Sequence, residues 1–267
     1  MADLVGRLEG KVAIVTGAGS RGPGVGNGKA TSVLFAREGA KVLLVDIALD
    51  HAEETRAIID EEGGEASTFQ ADVTSEADCR AMVEAAVERY DRLDILDNNV
   101  GISLRKNIIE IDPDEWDHMM TINLKSMMLA SRFAIPAMIE NGGGSIINIS
   151  SVAALRAIGD AAYTTSKAAV IGLTMTMAAD HGRDGVRVNC IAPGLVYTPM
   201  VADRVDPQLR EHRRKASALG TEGTAWDVGW AAVFLASEEA RWITGAVLPV
   251  EAGAIIAARD HYAHWWD

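Results

Sequence analysis

The chain has 267 residues, 48% of them hydrophobic and 24% charged, with a formal net charge of -13. That length suits one large α/β domain, which runs to about 250 residues undivided, and the acidity repels phosphate backbones, so no nucleic-acid partner is expected. Two cysteines, Cys79 and Cys190, are too few for a disulfide framework. No apolar run nears the ~20 residues of a membrane span, and residues 1–10 lack the apolar core of a signal peptide, so the expectation is a cytoplasmic protein with no membrane partner.

Short apolar runs alternate with longer helical patterns, which predicts βαβ units feeding a doubly wound parallel sheet of about seven strands with helices on both faces. After an N-terminal extension at 1–7, the strand at 11–16 runs into Thr16-Gly17-Ala18-Gly19-Ser20-Arg21-Gly22-Pro23-Gly24-Val25-Gly26-Asn27-Gly28, followed by a helix at 29–38. Glycines let a backbone approach a pyrophosphate, and the next helix turns free N–H groups and its positive end toward it. Two registers compete here, Gly17 to Gly22 and Gly26-Asn27-Gly28. The strand at 41–46 ends in Asp46, close to the ~20 residues past the glycines at which an acid binds adenosine ribose hydroxyls. That acid opposes a 2′-phosphate and predicts NAD over NADP, with Arg21 as the basic loop residue able to reverse the preference.

A helix at 51–62, a strand at 66–71 and a helix at 76–89 come next. Asp97, in the strand at 93–98, is a carboxylate in an apolar setting and needs a partner or solvent. A helix at 114–139 precedes the strand at 145–149, which delivers Ser150 and Ser151 to the carboxyl edge of the sheet, where ligands bind. In the helix at 163–181, Tyr163 and Lys167 share one face. A phenol acts as a base near neutrality only if its phenolate gains roughly 4 kcal/mol, and an adjacent ammonium supplies part of that. Cys190, in the strand at 186–191, reads as a small buried hydrophobe. Residues 200–220 lack a sheet pattern and form a candidate lid; Arg210, His212, Arg213, Arg214 and Lys215 within it read as a solvated helix face rather than an anion-binding patch. A helix at 225–236 and a strand at 246–250 lead to a tail at 254–267, where His261 and His264 read as surface histidines and no metal site is expected.

With the glycine turn, the serine-bearing strand and the Tyr163/Lys167 pair in one chain, residues 8 to 253 resemble the short-chain dehydrogenase/reductase family. The resemblance implies a single-domain Rossmann fold over 1–267 and hydride transfer between NAD(H) and a small secondary alcohol or ketone. Tyr163 is then the general acid/base, Lys167 its pKa-lowering partner and ribose ligand, and Ser151 the donor to the substrate oxygen. Asn123, in Thr121-Ile122-Asn123-Leu124, resembles the asparagine that holds a proton-relay water. Ser150 stands at the family's usual spacing before the tyrosine, whereas Asn148-Ile149-Ser150-Ser151-Val152 fits best with Ser151 in the catalytic place, so Ser150 is the runner-up.

For the cofactor, the resemblance favours the Gly26-Asn27-Gly28 register and implies contacts from Gly17, Gly19, Ser20, Arg21, Gly26, Gly28 and Asp46. It adds Asp72 and Val73 at the adenine, then Asn99, Val100 and Gly101 in Asn98-Asn99-Val100-Gly101 beside the cofactor. Pro193, Gly194, Val196 and Thr198 receive the nicotinamide amide, and Tyr163 and Lys167 complete the set. Helical segments around 127–135 and 168–179 are apolar on more than one face and resemble the family's paired-helix interface, which implies a homodimer or homotetramer. The tail, with adjacent Trp265 and Trp266, is expected to dock across that boundary. Two alternatives stand beside this reading. An NADP-dependent 3-oxoacyl-type reductase is disfavoured by Asp46, and a non-catalytic nucleotide sensor by the intact Tyr163/Lys167 set.

Overall fold

Val12–Thr16 (β1), Lys41–Asp46 (β2), Ala66–Gln70 (β3), Ile95–Asn98 (β4), Gly144–Ile149 (β5), Val186–Pro193 (β6) and Val247–Val250 (β7) pair in the order β3-β2-β1-β4-β5-β6-β7. Every pairing is parallel. The structure is a computed structural model that describes residues 6–157, 159–202 and 205–257. Parallel neighbours need crossovers, which helices provide. These are Asn27–Arg37 (α1), Leu49–Glu61 (α2), Glu76–Tyr90 (α3), Pro113–Met120 (α4), Ser126–Glu140 (α5), Ala161–His181 (α6), Pro199–Ala202 (α7), Pro207–Lys215 (α8) and Ala225–Ala236 (α9).

Alternate side chains of the central strands feed two cores, as the two-residue period of a strand requires. Val15, Leu44 and Ile147 pack with Phe35 and Val228 under α1 and α9, while Ile14, Leu43 and Ile146 pack with Met82 and Met177 under α3, α5 and α6. Burial on both faces explains why these strands read as unbroken apolar runs. β1 lies between β2 and β4, so the strand order reverses there, and the carboxyl edge opens into the crevice of a Rossmann-type α/β fold.

Several elements differ from the sequence expectation. α1 begins at Asn27, capped by Gly26. β4 starts at Ile95, because Asp94 turns its carboxylate to Val12 N–H at 2.9 Å and to Arg92. The expected 114–139 helix is interrupted by a π-helical turn at Thr121–Lys125. In the candidate lid, α7 and α8 are helices, and α8 carries the basic residues as the solvated helix face expected there. Residues 258–267, with the tail expectation on Trp265, Trp266, His261 and His264, lie outside the described residues, as do residues 1–5.

Candidate active site

The glycine loop grips α1 through its last two glycines. Gly26 N–H donates to Ser20 Oγ at 2.8 Å, and a Cβ on Gly28 would stand 2.0 Å from the Gly17 carbonyl oxygen. Only glycine therefore lets the first turn of α1 sit directly on the end of β1, with its unpaired N–H groups at the crevice. Gly17 itself has φ +65°. At the tip of β2, Asp46 accepts from Gly19 N–H and Ala48 N–H, both at 3.0 Å. Those bonds aim the carboxylate at the loop and leave lone pairs for ribose hydroxyls. Ser20 is buried in the loop and Arg21 is exposed on it. This loop, helix terminus and carboxylate fit a dinucleotide.

Of the remaining expected cofactor residues, Asp72 closes the turn after β3 by accepting from Thr74 N–H at 2.9 Å and Thr74 Oγ1 at 2.7 Å, and Val73 is buried beside it. Asn98, just before the next of them, braces the sheet: its Nδ2 donates to Asn148 Oδ1 at 2.9 Å, and Asn148 passes a 3.0 Å bond on to Thr174 on α6. Asn99 takes a 3.2 Å bond between its N–H and Thr16 Oγ1, and its side-chain amide donates to Asp97. Val100 packs on Gly17, while a Cβ on Gly101 would lie 3.1 Å from Lys167 Nζ and 3.5 Å from Asn123 Oδ1. The loop after β4 thus joins the glycine turn to the Tyr163/Lys167 helix. Beyond β6, Pro193 ends the strand, Gly194 N–H donates to Val250 O at 3.1 Å, Val196 bridges to Gly223, and the Thr198 carbonyl caps α7.

The four expected catalytic residues converge on this same edge. Asp160 caps α6 and accepts from Tyr163 N–H at 3.2 Å, which sets the first turn and places Tyr163 and Lys167 one turn apart. Ser151 lies beside the Tyr163 phenol, and its Oγ accepts from Ala153 N–H at 3.1 Å. Burial pushes the phenol pKa above its ordinary value, the neighbouring Ser151 hydroxyl opposes that, and the Asp160 charge adds to it. Lys167 Nζ donates to Ile149 O at 2.8 Å and lies 6.0 Å from the tyrosine ring centroid; burial brings its pKa down to about 8. Ser150 is held elsewhere, donating to Lys167 O at 2.7 Å.

Asn123 sits in the π turn, an insertion that often marks functional positions. It clasps the loop after β4 in both directions, accepting from Ile102 N–H at 2.8 Å and donating to Ile102 O at 3.0 Å, with a further 3.0 Å bond to Ser166 Oγ. Cys190 is buried, and burial raises its thiol to about 11, which agrees with the reading as an inert hydrophobe.

Sequence reasoning missed Asp160. Its two oxygens collect Ser103 Oγ at 2.8 Å, Arg105 N–H at 2.9 Å and Tyr163 N–H, tying the loop after β4 to the helix that carries the tyrosine. The signal was present, since an aspartate immediately before an apolar helical run is an N-cap signature. Among the basic residues of α8, Arg210 pairs with Glu222, and Arg214 and Lys215 pair with Glu211, as a solvated face would. Arg213 instead turns inward and donates to Val196 O at 3.3 Å.

Residues 24–254 match a family model described as enoyl-(acyl carrier protein) reductase. The chain is 36% identical to the 3-oxoacyl-[acyl-carrier-protein] reductase FabG of Thermotoga maritima, over 94% of this chain and 100% of that protein. It is 35% identical to levodione reductase of Leifsonia aquatica, over 92% and 95%. A solved structure of 7α-hydroxysteroid dehydrogenase complexed with NADH and 7-oxo glycochenodeoxycholic acid superposes with a TM-score of 0.87 at 34% identity, covering 92% of this chain and 95% of that one. A short-chain dehydrogenase/reductase structure from Burkholderia xenovorans reaches 0.89 at 38% identity, covering 94% and 98%. On this fold, this edge and these matches, the chain belongs to the short-chain dehydrogenase/reductase family, NAD(P)(H)-dependent oxidoreductases acting on CH–OH groups.

Proposed function

We propose that the protein transfers a hydride between NAD(H) and a secondary alcohol or ketone, with Tyr163 as general acid/base. The convergence of Ser151, Tyr163 and Lys167 on the carboxyl edge, with Lys167 Nζ held on Ile149 O at 2.8 Å, carries this reading. When bound, the nicotinamide ring supplies the hydride acceptor for oxidation and the donor for reduction. In oxidation, Tyr163 Oη takes the substrate hydroxyl proton while Ser151 Oγ steadies the developing carbonyl oxygen; in reduction the same groups act in reverse. Lys167 contributes positive potential behind the phenol and stands, on its Ile149 anchor, to meet ribose hydroxyls. Asn123, clamped to Ile102, fixes the place of the relay water. Tyr163→Phe is expected to lower kcat by about a thousandfold with cofactor affinity nearly unchanged, measured by steady-state kinetics and equilibrium cofactor binding. Equal loss of cofactor binding overturns the assignment. Ser151→Ala should reduce turnover far more than Ser150→Ala, whose hydroxyl is committed to Lys167 O; the opposite order assigns the role to Ser150.

NAD is the cofactor in this reading because Asp46 presents a fixed carboxylate where a 2′-phosphate would sit. The exposed Arg21 and the identity to a 3-oxoacyl-[acyl-carrier-protein] reductase favour a second reading, an NADP-dependent 3-oxoacyl-type reductase. Kinetics with both cofactors decide: kcat/KM is expected to favour NAD by at least about tenfold, and a preference for NADP gives the site to the second reading. Among the described residues no helix is long and apolar enough to cross a membrane. The same reading takes the working unit to be a cytoplasmic homodimer or homotetramer. Both cysteines are free and buried, in keeping with a reducing compartment.

A further inference from the structure

Two arginines belong to segments that flank the catalytic edge, the exposed Arg105 and the half-buried Arg213. Arg105 lies in the loop after β4 and holds φ +59°, a left-handed conformation that a non-glycine residue keeps only when its surroundings impose it. The imposing contact is Asp160, which binds Arg105 N–H at 2.9 Å and the N–H of Tyr163 on the same side chain. Arg213 comes from α8. It is half-buried, its Nη2 rests 3.3 Å from the carbonyl of Val196 in the segment expected to receive the nicotinamide, and its buried Nε has no hydrogen-bond partner among the described residues.

Neither arginine forms a salt bridge among the described residues, whereas Arg210, Arg214 and Lys215 on the same helix all do. The acid that acts on Arg213 from a distance is Glu222, already engaged by three hydrogen bonds from Arg210. Burial lowers the Arg213 pKa and the Arg105 charge lowers it further. A partly buried cation beside a like charge is unfavourable until an anion joins it. A guanidinium fork matches carboxylate, sulfonate and phosphate oxygens.

We infer that the substrate is a secondary alcohol or ketone carrying an anionic group, held between Arg105 and Arg213 while its reacting carbon lies at Tyr163 and Ser151. The inference rests on the hydride-transfer reading of the same edge and adds a substrate class to it. Asp160 links the two ends of such a substrate, since it positions both the Arg105 loop and the tyrosine turn.

The test compares short methyl ketones that differ only in a terminal carboxylate, sulfonate, phosphate or neutral primary amide. For the wild type, kcat/KM on the best anionic ketone should exceed that on the amide by about tenfold or more, mainly through KM. The anionic-to-amide ratio should fall by about tenfold in Arg213→Gln and in Arg105→Gln, with Arg213→Lys between them and wild type. The ranking among the three anions identifies the headgroup. Equal use of the amide, or a ratio unmoved by both substitutions, overturns the inference while leaving the hydride-transfer reading intact. If no ketone reacts, the hydride-transfer reading fails, and the anion site is judged alone by calorimetric titration of the cofactor-loaded protein with hexanoate and hexanesulfonate. Binding that both arginine variants weaken by about tenfold sustains the site; no binding, or binding indifferent to the variants, overturns it.

Discussion

Asp97 is fully buried on β4, between Val15 of β1 and Ile147 of β5. Its Oδ1 accepts from the Asn99 amide, and its Oδ2 has no partner among the described residues. The requirement for a partner or solvent is thus only half met, and burial pushes the carboxyl from its ordinary 3.8 up to about 8. Between those values the folded chain keeps a proton that the unfolded chain has released. Stability contributed by this group is therefore greatest below pH 4 and declines as pH rises to about 8, on the order of 1 kcal/mol per pH unit. Asp97→Asn keeps the shape and the Asn99 bond but cannot ionise. In urea unfolding the variant is expected to be more stable than wild type at pH 8, with the gap closing toward pH 4. Parallel pH profiles for the two proteins would show that Asp97 does not titrate in this window.

At the scale of elements, the contact that matters most is between α1 and β1. Gly28→Ala places a methyl group 2.0 Å from Gly17 O and 2.9 Å from its carbonyl carbon, both backbone atoms that no rotamer change relieves. α1 must shift, at an overpacking penalty of about 1–3 kcal/mol, and its N-terminus leaves the loop. The variant should melt several degrees lower and bind cofactor at least about tenfold more weakly; unchanged cofactor affinity would mean that this helix terminus does not face the dinucleotide. Such contacts were legible in the sequence because glycine-rich turns and apolar runs are local signals. β1, β2 and β5 declare themselves by residues buried on both faces. α8 does not, since none of its residues is buried and its arginines read alike; only the fold distinguishes the inward Arg213 from Arg210 and Arg214. The π turn at Thr121–Lys125 was equally hidden, because its flanks keep helical composition and the insertion registers only in the hydrogen bonds Asn123 makes. Ser150 and Ser151, adjacent on one motif, differ in the fold: the first hydroxyl is spent on Lys167 O, while the second lies beside the Tyr163 phenol.

For the whole molecule, the distribution of exposed apolar side chains bears on assembly. α5 and α6 each bury one face in the sheet, yet Met128 is 38% exposed on α5 and Met175 51% exposed on α6. Trp242, before β7, is 95% exposed, and Trp230 on α9 is 46% exposed. An exposed tryptophan forgoes on the order of 2–3 kcal/mol of burial, and two such regions on different sides fit two two-fold interfaces better than one. The net charge of -13 disfavours loose association of copies, so the proposed pairing is assigned to these apolar regions rather than to general stickiness. Light scattering at micromolar concentration is expected to give two or four times the 28.5 kDa chain mass. Joint replacement Met128→Glu and Met175→Glu should convert the larger species to a smaller one, since both added charges would be buried at a two-fold contact. A wild-type monomer, or an assembly indifferent to those two glutamates, would exclude the α5 and α6 faces as the interface.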